Sequence, residues 1–133
     1  MPKLIHGERK LTGLDFSRLV KLAMPGQWPA LAELLGEADV VDSRQVPRDV
    51  VTMYAQVMIE ELKSRRRQTL VVCYPDDAEP SIGYISVLSP VGLALIGLPL
   101  GAVARWQTPG GDEIAAEVMA ILFQPEATGD YVT

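Results

Sequence analysis

The chain has 133 residues, of which 48% are hydrophobic and 22% are charged, and its net charge is −5. This length allows one hydrophobic core, and the acidic balance argues against strong direct nucleic-acid binding, because lysine and arginine make most phosphate contacts. A single cysteine excludes an internal disulfide, and no apolar run reaches the roughly 18 residues of a membrane span. We expect a cytoplasmic, monomeric globular protein that does not bind membranes.

Two short helices are predicted first. Residues 11–24 carry an apolar stripe at helical spacing, and Thr12 and Asp15 have the spacing of a capping box. The turn Met-Pro-Gly-Gln-Trp then follows, and Pro29 begins a second helix that runs to about Ala38. The pattern predicts a short antiparallel helical hairpin with arms of about 15 Å.

A linker and a second region follow the predicted hairpin. The segment 39–47 is polar and ends in proline, which is typical of a linker. We therefore divide the chain into an N-terminal region of residues 1–46, with the hairpin and the linker, and a main domain of residues 47–133.

The main domain is predicted to consist mostly of strands. The segment from Val51 to Glu60 alternates with a period of two; a helical stripe also fits it, but its β-branched start favours a strand. Residues 113–122 have apolar side chains at helical spacing and high helix propensity, so their pattern alone predicts a helix. The remaining predicted elements are strands at 70–74, 82–87 and 103–108 and a hairpin turn at 109–112.

One very short helix interrupts these strands. Ser89 is a good N-cap, Pro90 suits the first helical position, and Gly97 can take the left-handed conformation that ends a helix after about two turns. A capped apolar helix of this length between strands predicts a sheet that curls around one helix.

Few residues are suited to catalysis. His6 is the only histidine, and Cys73 lies in an apolar strand, where a free cysteine usually behaves as a small hydrophobe. Asp76, Asp77 and Glu79 form an acidic cluster, but they lack the turn glycine and the distant bidentate glutamate of a calcium loop. We expect no catalytic residue, no metal and no cofactor.

The most prominent charged feature is a basic cluster formed by Lys63, Arg65, Arg66 and Arg67. In an acidic chain, such a run is typical of a solvated turn. The alternative is a docking patch for a carboxylate-rich partner or for RNA.

Several segments resemble a known family. The run Ser-Pro-x-Gly-x-Ala-Leu-x-Gly-x-x-x-Gly at 89–101 is similar to the C-terminal domain of Gre-type transcript-cleavage factors. Together with the segments 47–53, 106–111 and 124–131, it resembles more closely the family of the regulator of nucleoside diphosphate kinase. One departure is Ala102, where Gre-like chains usually carry an acidic residue.

The resemblance implies a fold. The main domain would resemble FK506-binding prolyl isomerases (FKBP-like), with a curved antiparallel sheet around one short helix. With the N-terminal hairpin, the chain would belong to the α+β class. The resemblance also implies that residues 113–122 form a long strand that pairs with 103–108, and we follow it over the helical pattern.

The resemblance also implies a partner, RNA polymerase. In Gre-type factors, the segment around Ser-Pro helps bind the helical rim of the secondary channel on the largest polymerase subunit. The matching residues here are Leu88, Ser89 and Pro90.

A catalytic role at the tip of the hairpin is not implied. Gre-type factors insert a long coiled coil into the channel, where acidic tip residues help hold a catalytic Mg²⁺. The corresponding tip here, which would face the channel, has no carboxylate, and we expect no cleavage activity. Its residues are Pro25, Gly26, Gln27 and Trp28.

These features lead to one main hypothesis and two alternatives. The main hypothesis is a non-catalytic transcription regulator that binds the secondary channel, competes with Gre-type factors and thereby affects nucleoside diphosphate kinase. One alternative is an FKBP-like prolyl isomerase whose apolar pocket would use Trp106 and Tyr84. The other is a protein-interaction scaffold or small-molecule sensor that uses the basic 63–67 patch.

Overall fold

The computed structural model describes residues 9–23 and 27–130. These residues form helices and strands in the α+β arrangement that the sequence predicts. In chain order they are β1 (Lys10–Thr12), α1 (Gly13–Ala23), α2 (Pro29–Glu37), β2 (Asp39–Val41), β3 (Gln56–Glu61), β4 (Arg67–Cys73), β5 (Tyr84–Ser86), α3 (Pro90–Leu95), β6 (Val103–Gln107) and β7 (Glu113–Phe123).

Five strands form the main sheet in the order β5-β4-β3-β7-β6. The pairs β3–β4, β3–β7 and β6–β7 are antiparallel, whereas β4 and β5 are parallel, so the predicted antiparallel sheet is in fact mixed. Register shifts at Gln56/Val57 and Met58/Ile59 interrupt the β3–β7 ladder. Such irregularities bend a strand and increase its twist, and the sheet curls. Its likeness to FK506-binding isomerases stays a prediction.

Helix α3 has the ends that the sequence predicts. The Ser89 hydroxyl accepts a hydrogen bond from the Gly92 N–H at 3.1 Å, and Pro90 occupies the first turn. Gly97 follows the helix with a φ of 82°, in the left-handed region that favours glycine. The Ala94 and Leu95 side chains are buried.

The N-terminal region differs from its prediction at both ends. Helix α1 begins at Gly13, because Leu11 and Thr12 belong to strand β1. The linker prediction is wrong for Asp39–Val41, which pairs in parallel with β1 as a second, two-stranded sheet. The Asp39 N–H donates to the Arg9 carbonyl at 2.9 Å and anchors this pairing.

Helices α1 and α2 pack against each other. Pro29 begins α2, as predicted, and Leu31 and Leu35 of that helix are buried. The antiparallel hairpin itself stays a prediction, because its turn at 24–26 lies outside the described residues. Neither helix, nor any other in the described ranges, is long and apolar enough to cross a membrane.

The two ambiguous segments have different outcomes. The segment 113–122 is a strand, as the resemblance implied, and the helical prediction from its pattern alone is wrong. The strand predicted from Val51 begins only at Gln56, because the chain turns before it. In that turn Tyr54 has a φ of 65°, and the Ala55 N–H donates to the Thr52 carbonyl at 3.1 Å.

One hydrophobic cluster joins the helices to the sheet. It includes residues from both sides of the boundary predicted at position 46. Members with almost no exposed surface include Leu11, Leu19, Leu31, Val51, Met53, Val57, Leu70, Leu95, Ile96, Leu98 and Val118.

Candidate functional site

The segment predicted to bind polymerase, Leu88–Pro90, is a fixed turn between β5 and α3. The Ser86 carbonyl accepts hydrogen bonds from the Ser89 N–H at 3.0 Å and from the Ser89 hydroxyl at 2.6 Å. The Leu88 N–H donates to the Ser86 hydroxyl at 3.1 Å, and the Val87 N–H donates to the Cys73 carbonyl at 2.8 Å. The bonds to Ser86 fix the turn itself, and the bond to Cys73 ties it to strand β4.

Gly92 brings α3 directly onto this turn. A Cβ atom at position 92 would collide with the Ser86 carbonyl and would lie 2.8 Å from the Val87 Cα. Only glycine therefore permits this close approach. The result is a rigid surface on which Pro90 is exposed and Leu88 is partly buried.

The predicted tip residues are only partly described. Pro25 and Gly26 lie outside the described residues, whereas Gln27 and Trp28 are exposed just before α2. The Trp28 carbonyl accepts a hydrogen bond from the Ala32 N–H at 3.1 Å, and Trp28 is 38% exposed. The flanking helices have 11 and 9 residues, so they extend about 16 and 14 Å.

The predicted basic patch divides into two parts. Arg67 and Arg65 form ion pairs with Glu60 at 3.0 and 3.2 Å and hold the pKa of that carboxyl below its usual range. The other two cations, Lys63 and Arg66, form no ion pair with any described residue. All four residues lie on the exposed hairpin between β3 and β4, but only Arg65 and Arg67 are ion-paired with Glu60.

The two aromatic residues proposed for an isomerase pocket do not come together. Tyr84 lies on β5 and Trp106 on β6, at opposite edges of the five-stranded sheet. Trp106 instead lies opposite Ile114 of the neighbouring strand. The cleft beside Trp106 is accordingly not lined by Tyr84.

The acidic cluster has a structural contact. The Tyr54 hydroxyl donates to the Asp77 carboxylate, and burial raises the pKa of Tyr54 to about 12. Within the described ranges, no three histidine, cysteine or acidic side chains come together as metal ligands would. Burial also raises the pKa of the Cys73 thiol, which keeps it protonated and weakly nucleophilic.

A buried polar contact was not predicted from the sequence. The Thr12 hydroxyl accepts the Asp15 N–H at 3.0 Å, as in a capping box, but the Asp15 carboxylate accepts the Met53 N–H at 3.2 Å. Desolvation, and secondarily repulsion from Glu126, raises the pKa of Asp15 to about 7. Local spacing reveals only the cap, because Met53 lies 38 positions away.

The C-terminal segment, which had no predicted role, fastens the start of the main domain. The Gln124 amide donates to the Pro47 carbonyl at 2.8 Å and to the Val50 carbonyl at 2.9 Å. The Thr52 hydroxyl donates to the Glu126 carboxylate at 2.7 Å. Tyr131, also part of the matching segment, lies outside the described residues.

Similar proteins place this arrangement in a family. The family model for the C-terminal domain of the GreA/GreB transcription elongation factors matches residues 46–123. The regulator of nucleoside diphosphate kinase from Escherichia coli is 37% identical over 103 residues, which cover 77% of this chain and 76% of that protein. The transcription elongation factor GreA from Desulfovibrio desulfuricans is 35% identical over 64% of this chain and 52% of its own length.

Solved structures agree with this match. A GreA/GreB transcription elongation factor from Nitrosomonas europaea superposes with a TM-score of 0.74 at 33% identity, covering 87% of this chain and 98% of that one. GreA factor homolog 1 from Thermus thermophilus, at 22% identity and a TM-score of 0.51, covers 87% of this chain and 99% of its own and shows the shared fold alone. The chain belongs to the family of the regulator of nucleoside diphosphate kinase and carries a C-terminal domain of the GreA/GreB type.

Proposed function

We propose that the protein is a non-catalytic transcription regulator that binds RNA polymerase at the secondary channel and competes there with Gre-type factors. Family membership supports a role associated with transcription. The observation that carries the finer proposal is the rigid Leu88–Pro90 turn, which lies inside the matched domain.

The proposed contact is the helical rim of the channel on the largest polymerase subunit. Leu88 and Pro90 supply apolar surface, and the Ser86 and Ser89 bonds fix its shape before binding. A surface that is already ordered loses less conformational entropy on binding, so a small patch can contribute useful affinity.

Absence of catalysis is part of the proposal. A carboxylate must contact a metal at about 2 Å to support metal-ion chemistry. The sequence has no acidic residue from Met24 to Pro29, and the flanking helices are short. The protein would occupy the channel entrance without activating water, and any effect on nucleoside diphosphate kinase would follow from altered transcription.

The test is a transcript-cleavage assay on backtracked polymerase complexes. The protein alone should release no RNA fragment above the spontaneous rate. Added together with a Gre-type cleavage factor, it should slow cleavage in a concentration-dependent manner, because both would occupy one entrance.

Two variants test the interface. Leu88→Asp and Pro90→Ala should lose this inhibition, whereas Leu122→Asp should keep it, because Leu122 is an exposed leucine (52%) at the end of β7, outside the turn. Full inhibition by both interface variants would refute the assigned contact. Cleavage by the protein alone would refute the non-catalytic role.

A further inference from the structure

An open cleft of about 470 Å³ lies on the face of the sheet that packs on α3. Its apolar lining comes from the centre of the sheet, from an edge strand of the sheet and from the first turn of α3. The size falls within the range of small-ligand and side-chain pockets. The lining residues that matter here are Ile59, Val91, Trp106, Ile114, Glu61 and Arg66.

The cleft exists because α3 is too short to cover the sheet. Its six residues extend about 9 Å, whereas the 11 residues of β7 extend about 37 Å. Where α3 covers the sheet, Val57 and Val118 are completely buried. Beside the first turn of α3, where the helix does not cover the sheet, Trp106 and Ile114 lie opposite each other on neighbouring strands and stay partly exposed.

One wall of the cleft carries Arg66, a basic residue without an ion pair to any described residue. The hairpin at 60–67 contains four basic and two acidic side chains, and Glu60 binds Arg65 and Arg67. Arg66 lines the cleft, and its guanidinium makes no hydrogen bond or ion pair with a described residue. Glu61 also lines the cleft, so its charge disfavours a strongly anionic ligand such as RNA.

We infer that this cleft is a second binding site, which holds an acidic peptide segment of a protein partner. An apolar side chain of the peptide packs between Trp106, Ile114 and Val91, and a neighbouring carboxylate pairs with Arg66. An apolar anchor beside a charge-assisted hydrogen bond is a common basis of peptide recognition. None of Leu88, Ser89 and Pro90 lines the cleft, although Val91 directly follows Pro90, and the proposed peptide site goes beyond the proposed polymerase contact.

Trp106 provides the signal for a test. The chain has two tryptophans, so Trp28→Phe leaves Trp106 as the only one. The probe is an eight-residue peptide with leucine at its two central positions, one glutamate next to them and serine elsewhere. We expect a saturable change in Trp106 fluorescence that weakens with added salt. A matched peptide with lysine in place of glutamate should produce no change.

Arg66→Glu and Arg65→Glu make the same change of charge one position apart. Arg66→Glu should weaken binding of the leucine–glutamate peptide about tenfold or more, because it places a carboxylate in the cleft. Arg65→Glu should leave the affinity within about twofold, because Arg65 pairs with Glu60 outside the cleft. Both positions are exposed, and matching circular dichroism spectra would verify that both variants fold.

Three results would overturn the inference: no fluorescence change with the glutamate peptide, equal losses in the two variants, or tighter binding of an RNA oligonucleotide of the same length. Leu88→Asp should still bind the peptide. Failure of the cleft would therefore be distinguishable from failure of the polymerase contact, which the cleavage competition tests separately.

Discussion

Asp15 shows how one buried residue couples folding to pH. Only 1% of its surface is exposed, and its carboxylate accepts the Met53 N–H from the main domain. Desolvation raises its pKa from 3.8 to about 7, and the negative charge of Glu126 adds to this effect. The folded state therefore holds the proton more tightly than the unfolded state does. Its contribution to stability is complete below about pH 4 and is lost as the pH rises to about 7.

Asp15→Asn should remove this pH dependence. Between about pH 5 and pH 8 the wild type should lose up to about 3 kcal/mol of unfolding free energy relative to the variant. Urea denaturation of both proteins at the two pH values measures the difference. All other titrating groups are shared, so parallel pH profiles would contradict the assigned role of Asp15.

Gly92 is the residue on which the α3 contact with the Leu88–Pro90 turn depends. Gly92→Ala should destabilise the protein by about 1–3 kcal/mol, because its Cβ would collide with the Ser86 carbonyl. Gly36→Ala is the control: position 36 of α2 has open space around it, and alanine there should stabilise by up to about 1 kcal/mol. Thermal unfolding compares the two, and a Gly92→Ala protein as stable as the wild type would contradict the steric argument.

At the scale of elements, the segment after β7 fastens the entry to the sheet. Gln124→Ala would leave the Pro47 and Val50 carbonyls without their partner, at a cost of about 1–3 kcal/mol. Gln107→Ala changes an exposed glutamine at the end of β6 and should cost little. Urea unfolding of both variants tests this, and equal losses would rule out a special role for Gln124.

Local signals predicted some elements well and others not at all. The ends of α3 follow from Ser89, Pro90 and Gly97, since caps act within a few residues. Residues 113–122 have helical spacing and propensity, yet they form β7, because β3 and β6 pair along its two edges and sheet packing overrides propensity.

The misplaced start of β3 has a different cause. Val51 and Met53 are buried like strand residues, but Tyr54 takes a left-handed conformation that breaks the strand. A period-two pattern cannot reveal such a turn, because Val51 and Met53 are buried in it as they would be in a strand, and Thr52 between them is buried as well. The Asp15, Gln124 and Glu126 contacts were invisible for another reason: each joins residues far apart in the chain.

At the scale of the whole molecule, a single hydrophobic cluster supports two distinct surfaces. The cluster joins the helices α1 and α2 to the sheet. The turn Leu88–Pro90 is fixed by its own hydrogen bonds, and the cleft at Trp106 lies beside the first turn of α3. The candidate turn followed from the family resemblance, whereas the cleft depends on the length of α3 relative to the sheet and could not be found by pattern alone.

The central claim is that this protein binds RNA polymerase through the Leu88–Pro90 turn. Its most direct test is co-elution of the purified protein with core polymerase on a sizing column, compared with Leu88→Asp and Leu122→Asp at equal concentrations. We expect the wild type and Leu122→Asp to co-elute with polymerase and Leu88→Asp to elute alone. Failure of the folded wild type to co-elute, or unchanged co-elution of Leu88→Asp, would contradict the claim.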